Sequence, residues 1–294
     1  MNARALLATV LVLGGLATGA PCQAPLGAPW DSVGRILRTS GAAAGGYYRY
    51  TWPRRDLTLR IGDVTVSPAL ALGAWAGFSG DPTDATMMGD LILTNDELKP
   101  VLAELARQRI AVSAIHDHLV GEEPRLTYVH YHGQGNALDL ATRLDRVVAL
   151  TGAPRPVTMA PPSPVTIDTA LVFRILGLTG RAQGAVAQLS TTLVPGTVTM
   201  HGRPVTPALA YGTPINIQMV RGGEVRAVAT GDFAVLGPKV APVLEALAAH
   251  GITATAVHSH LVGEAPTIYY MHFWADAPLP DVLGGLRAAL DAAR

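Results

Sequence analysis

HDHLVGEEPRLTYVH, residues 116–130, and HSHLVGEAPTIYYMH, residues 258–272, are near copies of each other. The second stretch repeats the histidines of the first at a shift of 142 residues: His116, His118 and His130 recur as His258, His260 and His272. Gly89-Asp90 recurs as Gly231-Asp232 at the same shift. Self-similarity at a fixed spacing is the sequence signature of a repeated structural unit. The chain is therefore predicted to contain two copies of one unit.

The repeat extends upstream of these stretches. Ser67-Pro68-Ala69-Leu70 corresponds to Thr206-Pro207-Ala208-Leu209 at a shift of 139 residues. The copies are predicted to span residues 29–150 and 167–294. Residues 151–166 lie between them and contain five prolines, a composition typical of an extended linker.

Apolar periodicity within one copy predicts strands followed by a β-α-β-β-α segment. The strands predicted in copy one are Tyr47–Trp52, Leu57–Ile61, Val64–Ser67, Leu70–Phe78 and Thr86–Leu93, with a hairpin of Ala111–Val120 and Arg125–His132. The predicted helices are Ser32–Thr39, one that a capping box at Thr94–Glu97 opens, and Ala137–Leu150, which Asp281–Ala293 repeats. Pro100 is expected to delay the start of the helix after Thr94.

These elements predict an α+β fold that is internally duplicated. Each copy is expected to be an antiparallel sheet with helices on one face, and the copies are expected to pair about a pseudo-two-fold axis. A single sheet shared by both copies is the alternative. Arg54-Arg55 is expected to be exposed to solvent.

Seven of the nine histidines fall in the two predicted hairpins: His116, His118, His130, His132, His258, His260 and His272. Side chains two residues apart on a strand point to the same face, so His116 and His118 are expected to project together. If the loop is Glu122-Glu123-Pro124, His116 lies directly opposite His130 and the imidazoles converge on one face. A loop of one residue more turns His130 to the other face and removes the site.

Converging imidazoles favour a site for zinc or another divalent transition metal, because three protein ligands and an open position are typical of catalytic zinc. Asp90 and Glu122 are candidate catalytic bases. Their equivalents in copy two, Asp232 and Glu264, are candidate ligand-binding residues. Trp274 stands where copy two would have a partner for His132, so copy one is the better candidate if one copy alone binds metal.

Two other interpretations of the histidines stay open. In the first, the histidines are structural groups that hydrogen-bond to neighbours such as Tyr128 and Tyr270. In the second, the histidines line a polar pocket that binds a small ligand without metal. Tyr128 and Tyr270 are the remaining candidate ligand-binding residues.

Composition narrows the function classes. Hydrophobic residues make up 49% of the 294 residues and the net charge is zero, so the chain has ample apolar residues for a core and no broad basic face for nucleic acid. A single cysteine excludes a disulfide framework and a cysteine-rich metal site.

The first 24 residues are typical of a signal peptide: Arg4 precedes an uncharged apolar run, Ala5–Leu16, and small residues follow. Export to the periplasm or beyond is therefore expected, with no transmembrane span in the mature chain. Lipidation at Cys22 is the alternative, which Pro21 directly before it disfavours.

The paired HxHLVGExPxxxYxH motifs resemble those of the LppY/LpqO family, exported bacterial proteins grouped as a domain of unknown function. Further matches are Pro68–Gly73 with Trp75, Met88-Gly89-Asp90, Gly231-Asp232-Phe233, Tyr270–Ala275 and Leu286–Leu290. The resemblance implies export and duplication and brings no reaction, substrate or cofactor.

Two functions are therefore expected. The first is an exported metal-binding protein, with metal-assisted hydrolysis as the reaction if it is an enzyme. The alternative is a non-catalytic envelope module that binds a small molecule or an envelope component, with structural histidines.

Overall fold

A computed structural model describes residues 26–158, 164–220 and 225–294. The predicted signal peptide, Cys22 and part of the predicted linker lie outside the described residues. None of the described helices combines the length and apolar character needed to cross a bilayer.

The elements of copy one are α1 Trp30–Leu37, β1 Gly41–Ala44, β2 Tyr47–Pro53, β3 Leu59–Ile61, β4 Val64–Val66, α2 Pro68–Ala71, β5 Gly73–Ser79, β6 Ala85–Thr94, α3 Asn95–Arg107, β7 Ala111–His116, β8 Glu122–Glu123, β9 Leu126–Gly135 and α4 Ala137–Val148.

Copy two repeats this order with α5 Thr169–Leu176, β10 Gly180–Gln183, β11 Val186–Thr191, β12 Thr199–Met200, β13 Arg203–Pro204, α6 Pro207–Ala210, β14 Thr213–Met219, β15 Arg226–Leu236, a 3-10 turn Gly237–Lys239, α7 Val240–Ala249, β16 Thr253–His258, β17 Glu264–Ala265, β18 Ile268–Pro278 and α8 Leu279–Ala293.

Each copy builds its own six-stranded antiparallel sheet. The strand orders are β1-β2-β5-β6-β9-β7 and β10-β11-β14-β15-β18-β16. A three-stranded sheet accompanies each, with orders β4-β3-β8 and β13-β12-β17. The α+β duplication predicted from the sequence is therefore confirmed, and the alternative of one shared sheet is wrong.

Local sequence explains where the helices begin. The predicted capping box is present, and the backbone N–H of Thr94 donates to Glu97 at 2.9 Å. Helix α3 begins directly after Thr94, so the expected later start is wrong. Pro100 lacks the N–H that would donate to the carbonyl of Asp96, but both residues are exposed, where water can replace the missing donor.

The structure differs from the predicted strands in two places. Residues 68–71 form helix α2 because Ser67 caps it by accepting from the N–H of Ala69 at 3.3 Å and a proline occupies the first turn. The strand predicted from Leu70 therefore begins at Gly73. The predicted hairpin is also wrong in its turn: β7 ends at His116, and Glu122-Glu123 leaves the main sheet to pair with β3.

The copies pack against each other through polar and apolar contacts. The side-chain amides of Gln188 and Asn216 in copy two donate to the carbonyls of Ala69 and Leu70 on α2, both at 2.7 Å. A core of buried residues from both copies lies beside them, including Tyr47, Met88, Leu209 and Tyr270. This interface brings the histidine-bearing strands together.

Candidate metal centre

Histidines of the two copies meet in one cluster at the interface. The ring centroids of His116 and His258 are 4.1 Å apart, and those of His130 and His260 are 3.7 Å apart. His118 lies 4.1 Å from His272 across the same interface. The sequence predicted one convergence within each hairpin, whereas the structure forms a single cluster from both.

The strand register differs from the predicted one but keeps the histidines on one face. His116 pairs with Tyr128, and Ala114 pairs with His130, after an irregularity between Val112 and Ala114. His130 therefore sits two positions from the residue opposite His116, and an even shift preserves the face of a strand. The Nε2 atoms of His116 and His130 are 3.1 Å apart.

His118 and His260 lie in the loops that follow β7 and β16, so the alternation of side chains along a strand does not determine where their rings point. Each packs its ring on a tyrosine: His118 lies 4.7 Å from Tyr128, and His260 lies 3.8 Å from Tyr270. The hydroxyl of Thr255 also donates to the carbonyl of His118 at 2.7 Å, which fixes this loop of copy one against copy two.

Hydrogen bonds donated by Nδ1 fix the tautomer of three imidazoles. Nδ1 of His116 donates to the carbonyl of Asp117, and Nδ1 of His258 donates to that of Ser259, both at 3.1 Å. Nδ1 of His272 donates to Oδ1 of Asp232 at 2.6 Å. A carbonyl or carboxylate oxygen accepts only, so this network assigns the hydrogen to Nδ1 and leaves Nε2 as a bare lone pair.

Two of the bare Nε2 atoms face each other: Nε2 of His258 lies 2.8 Å from Nε2 of His272. Nε2 of His260, whose tautomer no hydrogen bond from Nδ1 fixes, lies 3.3 Å from Nε2 of His272. Two lone pairs at this separation repel unless a cation lies against both. A hydrogen bond between His258 and His272 would need a hydrogen that neither Nε2 carries.

A proton does not supply that cation at neutral pH. Burial, reinforced by neighbouring imidazoles, lowers the pKa of His116 and of His272 to about 3. Burial also lowers the pKa of His118, His130, His258 and His260. The cluster is therefore a set of neutral imidazoles, which is the form that binds metal.

The donor atoms have the spacing of a metal site. One ligand atom from each of four histidines, His116, His258, His260 and His272, lies within 4.8 Å of all the others. A second group, His118, Asp232 and His272, meets the same criterion. Metal–nitrogen bonds of about 2.0–2.1 Å in a tetrahedron place donors roughly 3.3 Å apart. The Nε2 atoms of His260 and His272 have that separation, and those of His258 and His272 are closer, at 2.8 Å.

The two recurring aspartates have different surroundings. Asp232 accepts from His272, an arrangement that orients a metal-ligating imidazole and raises its basicity. The equivalent Asp90 has a buried Oδ1 with no hydrogen-bond partner among the described residues. Burial, reinforced by the charge of Asp232, raises the pKa of Asp90 well above its ordinary value.

Other predicted site residues have partners outside the cluster. Glu122 and Glu264 accept backbone N–H groups of Leu126 and Ile268, so both carboxylates are engaged in local structure. The hydroxyls of Tyr128 and Tyr270 donate to the carbonyls of Ala71 and Ala210. The two tyrosines therefore contact histidines through their rings and do not hydrogen-bond to them.

Two predicted ligands belong to neither group of candidate metal ligands: His130, which lies within the cluster, and His132, which lies outside it. His132 faces His201 at a ring separation of 6.0 Å. The inclusion of His132 with the other candidate ligands is therefore not supported by its position.

A cavity of about 580 Å³ adjoins the cluster between the two copies. Its walls include His130 and His260 from the cluster, both aspartates, and Arg49, which lies over the ring of Trp75 at 4.0 Å. A small molecule in this cavity would lie beside the candidate ligands. Sequence patterns within one copy carry no signal for this cavity, because both copies form its walls.

Comparison with protein families identifies one match, which covers most of the chain. Residues 31–150 and 170–292 both match the family described as Domain of Unknown Function (DUF1259). The chain belongs to this family. The two matched segments agree with the two structural copies. No curated protein matches the chain.

Solved structures with detectable similarity are distant. The fused permuted hexameric shell protein MSM0275 from the RMM microcompartment is 14% identical, with 72% of this chain and 86% of that chain covered and a TM-score of 0.19. The trimeric bacterial microcompartment shell protein PduB is 10% identical, with 87% and 91% covered and a TM-score of 0.24. EtuB from Clostridium kluyveri is 12% identical, with 87% and 90% covered and a TM-score of 0.21. At these TM-scores the similarity supports no argument about function.

Proposed function

We propose that this protein binds one divalent transition-metal ion between its two copies and acts as a non-catalytic binding module. The ligands are His116 from copy one and His258, His260 and His272 from copy two. Zinc is the first candidate, since it is commonly bound by four protein ligands that include imidazole nitrogens, and copper and nickel also bind imidazole.

The observation that carries the proposal is the facing pair His258 and His272. Their Nδ1 atoms both donate to oxygen acceptors, and their Nε2 lone pairs are 2.8 Å apart. Structural histidines would pair a donor with an acceptor at this contact. A metal ion bound to both lone pairs removes the repulsion, and both imidazoles keep their hydrogen on Nδ1.

A binding role is favoured over hydrolysis by the position of Glu122. This carboxylate, a candidate base on sequence grounds, accepts from the backbone of Leu126. The adjoining cavity then provides room for a small molecule or part of an envelope component beside the ion. Export to the cell envelope, and membership of the narrower LppY/LpqO group, are part of this proposal and rest on the sequence of residues 1–24 and on the motifs.

Metal-assisted hydrolysis is the second candidate, and Asp90 is the observation that favours it. Asp90 lines the cavity with His130 and His260, and its buried Oδ1 has no hydrogen-bond partner among the described residues. A carboxyl group with a raised pKa suits acid–base catalysis. Under this function the zinc-loaded protein hydrolyses ester or phosphoester probes faster than free zinc does, and Asp90→Asn abolishes the excess rate. Under the binding function no excess rate is measured.

Metal analysis of the untagged protein tests the proposal. Inductively coupled plasma mass spectrometry is expected to find about one ion per chain after zinc loading and gel filtration, and thermal denaturation is expected to shift upward on loading. His272→Ala should lose both effects. His250→Ala is the matched control, because His250 is exposed and its Nδ1 donates to Ala246 within α7. A chain that retains no zinc, copper or nickel and melts unchanged contradicts the proposal.

A further inference from the structure

A second, smaller cavity lies outside the histidine cluster. Its volume is about 240 Å³, and its lining includes Arg109, His132 and Gln134 from copy one with His201 and Arg203 from copy two. None of these residues belongs to the candidate metal ligands. His132 also lines the larger cavity, so the two cavities are neighbours, but none of the candidate metal ligands lines the smaller one.

Two of the lining residues have a backbone conformation that usually requires glycine. The φ angles of Arg109 and His201 are 51° and 49°, in the left-handed region. Arg38 is the other non-glycine residue with positive φ among those the structure describes. A side chain in this region strains the backbone, and such strain concentrates at functional sites.

The duplication provides a direct comparison for both positions. Arg109 corresponds to Gly251, which has φ 69°, and His201 corresponds to Gly62, which has φ 58°. Each turn thus exists in an unstrained form with glycine elsewhere in the same molecule. At this cavity alone the chain has a basic or imidazole side chain at both positions.

The equivalent region of the other half of the interface contains an ion-paired contact. There Arg226 pairs with Asp63 at 2.8 Å and with Asp276 at 2.6 Å. Trp274 stands at the position of His132. The two places have diverged, one into an ion-paired contact and the other into an open cavity.

Hydrogen-bond donors and a net positive charge line the cavity. Asp84 balances Arg203, with which it pairs at 2.6 Å, and leaves the charge of Arg109 in excess. Nδ1 of His132 is buried with no hydrogen-bond partner among the described residues. Guanidinium groups supply several N–H donors in a planar fork that matches oxyanions.

We infer that this cavity binds a small phosphate-type oxyanion, held by Arg109, His132, His201 and Arg203. The volume is sufficient for inorganic phosphate or for the phosphate group of a monoester. Arg109 and His201 lie at the exposed rim, so either source has access. The site is independent of the metal centre.

Isothermal titration calorimetry with inorganic phosphate and with glycerol 3-phosphate tests the inference. The protein is used both zinc-loaded and after EDTA treatment and dialysis. Arg109→Gly and His201→Gly install the residue that the other copy has, so both variants are expected to fold, and each should weaken binding about tenfold or more by removing a charged or imidazole donor. Arg38→Gly is the matched control, because it relieves the same strain outside the cavity and should leave the affinity unchanged.

The two probes identify the source. Equal affinity indicates free phosphate, and tighter binding of the ester indicates a phosphorylated small molecule. The inference is overturned if neither probe binds at millimolar concentration, if Arg38→Gly weakens binding as much as Arg109→Gly does, or if EDTA treatment abolishes binding. The last result would assign the phosphate to the metal ion instead.

Discussion

Replacing Asp232 with asparagine tests how the protein prepares His272 for metal. The carboxylate accepts from Nδ1 of His272 at 2.6 Å, which fixes the tautomer and increases electron density on the ring. Loss of such an outer partner costs 10–100-fold in metal affinity in typical sites, which corresponds to about 1.4–2.7 kcal/mol. We therefore expect Asp232→Asn to weaken zinc binding by that factor.

Asp90→Asn provides the internal comparison. Asp90 occupies the equivalent position in copy one, yet its buried oxygen has no partner among the described residues. Its substitution is expected to change the zinc dissociation constant by less than threefold. Competition with a chromophoric chelator measures both constants, and circular dichroism of the metal-free variants checks folding. Equal weakening by the two substitutions would refute the assignment of Asp232 as the orienting carboxylate.

Three further predictions concern the rest of the molecule. His132→Ala should retain one zinc per chain with affinity within threefold of the unchanged protein, since His132 lies outside the cluster; a large loss in the chelator assay would return it to the ligand set. The metal-free protein should lose stability as pH falls. His116 and His272 have a pKa of about 3 when folded and about 6.5 when unfolded, so their contribution is complete above pH 6.5 and declines towards pH 3, by on the order of 2 kcal/mol each at pH 5. Urea unfolding in EDTA at pH 7.5 and pH 5 measures this, and equal stability at both values would contradict it. Arg54→Ala should destabilise the fold by about 3–5 kcal/mol, because Arg54 is 1% exposed and pairs with Asp56 and Glu97. Arg55→Ala, at an exposed position, should change stability by less than about 0.5 kcal/mol, and similar unfolding midpoints for the two would refute the difference.

Sequence patterns predicted much of the fold because its elements follow from local signals. The fixed shift between repeats identified the duplication, and the capping box at Thr94 located a helix start. Arg54 shows where local signals fail: its neighbour Arg55 is exposed as expected, but Arg54 is buried and donates to Glu97 on helix α3, 43 residues along the chain. A contact across that distance leaves no trace in the neighbouring residues.

The sequence predicted which histidines share a face within each copy, but not that the histidines of the two copies meet in one cluster. Alternation along a strand placed His116 and His130 on one face, and the even shift in register preserved that result. Which surfaces of the two copies would pack together is not encoded in the periodicity of either. The four candidate ligands come from both copies, so neither copy alone would hold the metal ion in this arrangement.

Zinc stoichiometry in single-histidine variants of each copy tests the central claim most directly. If one ion is shared across the interface, the unchanged protein binds one zinc per chain, and either His116→Ala or His258→Ala removes most of it at a zinc concentration near the original dissociation constant. If each copy holds its own ion, the unchanged protein binds two, and each variant retains one.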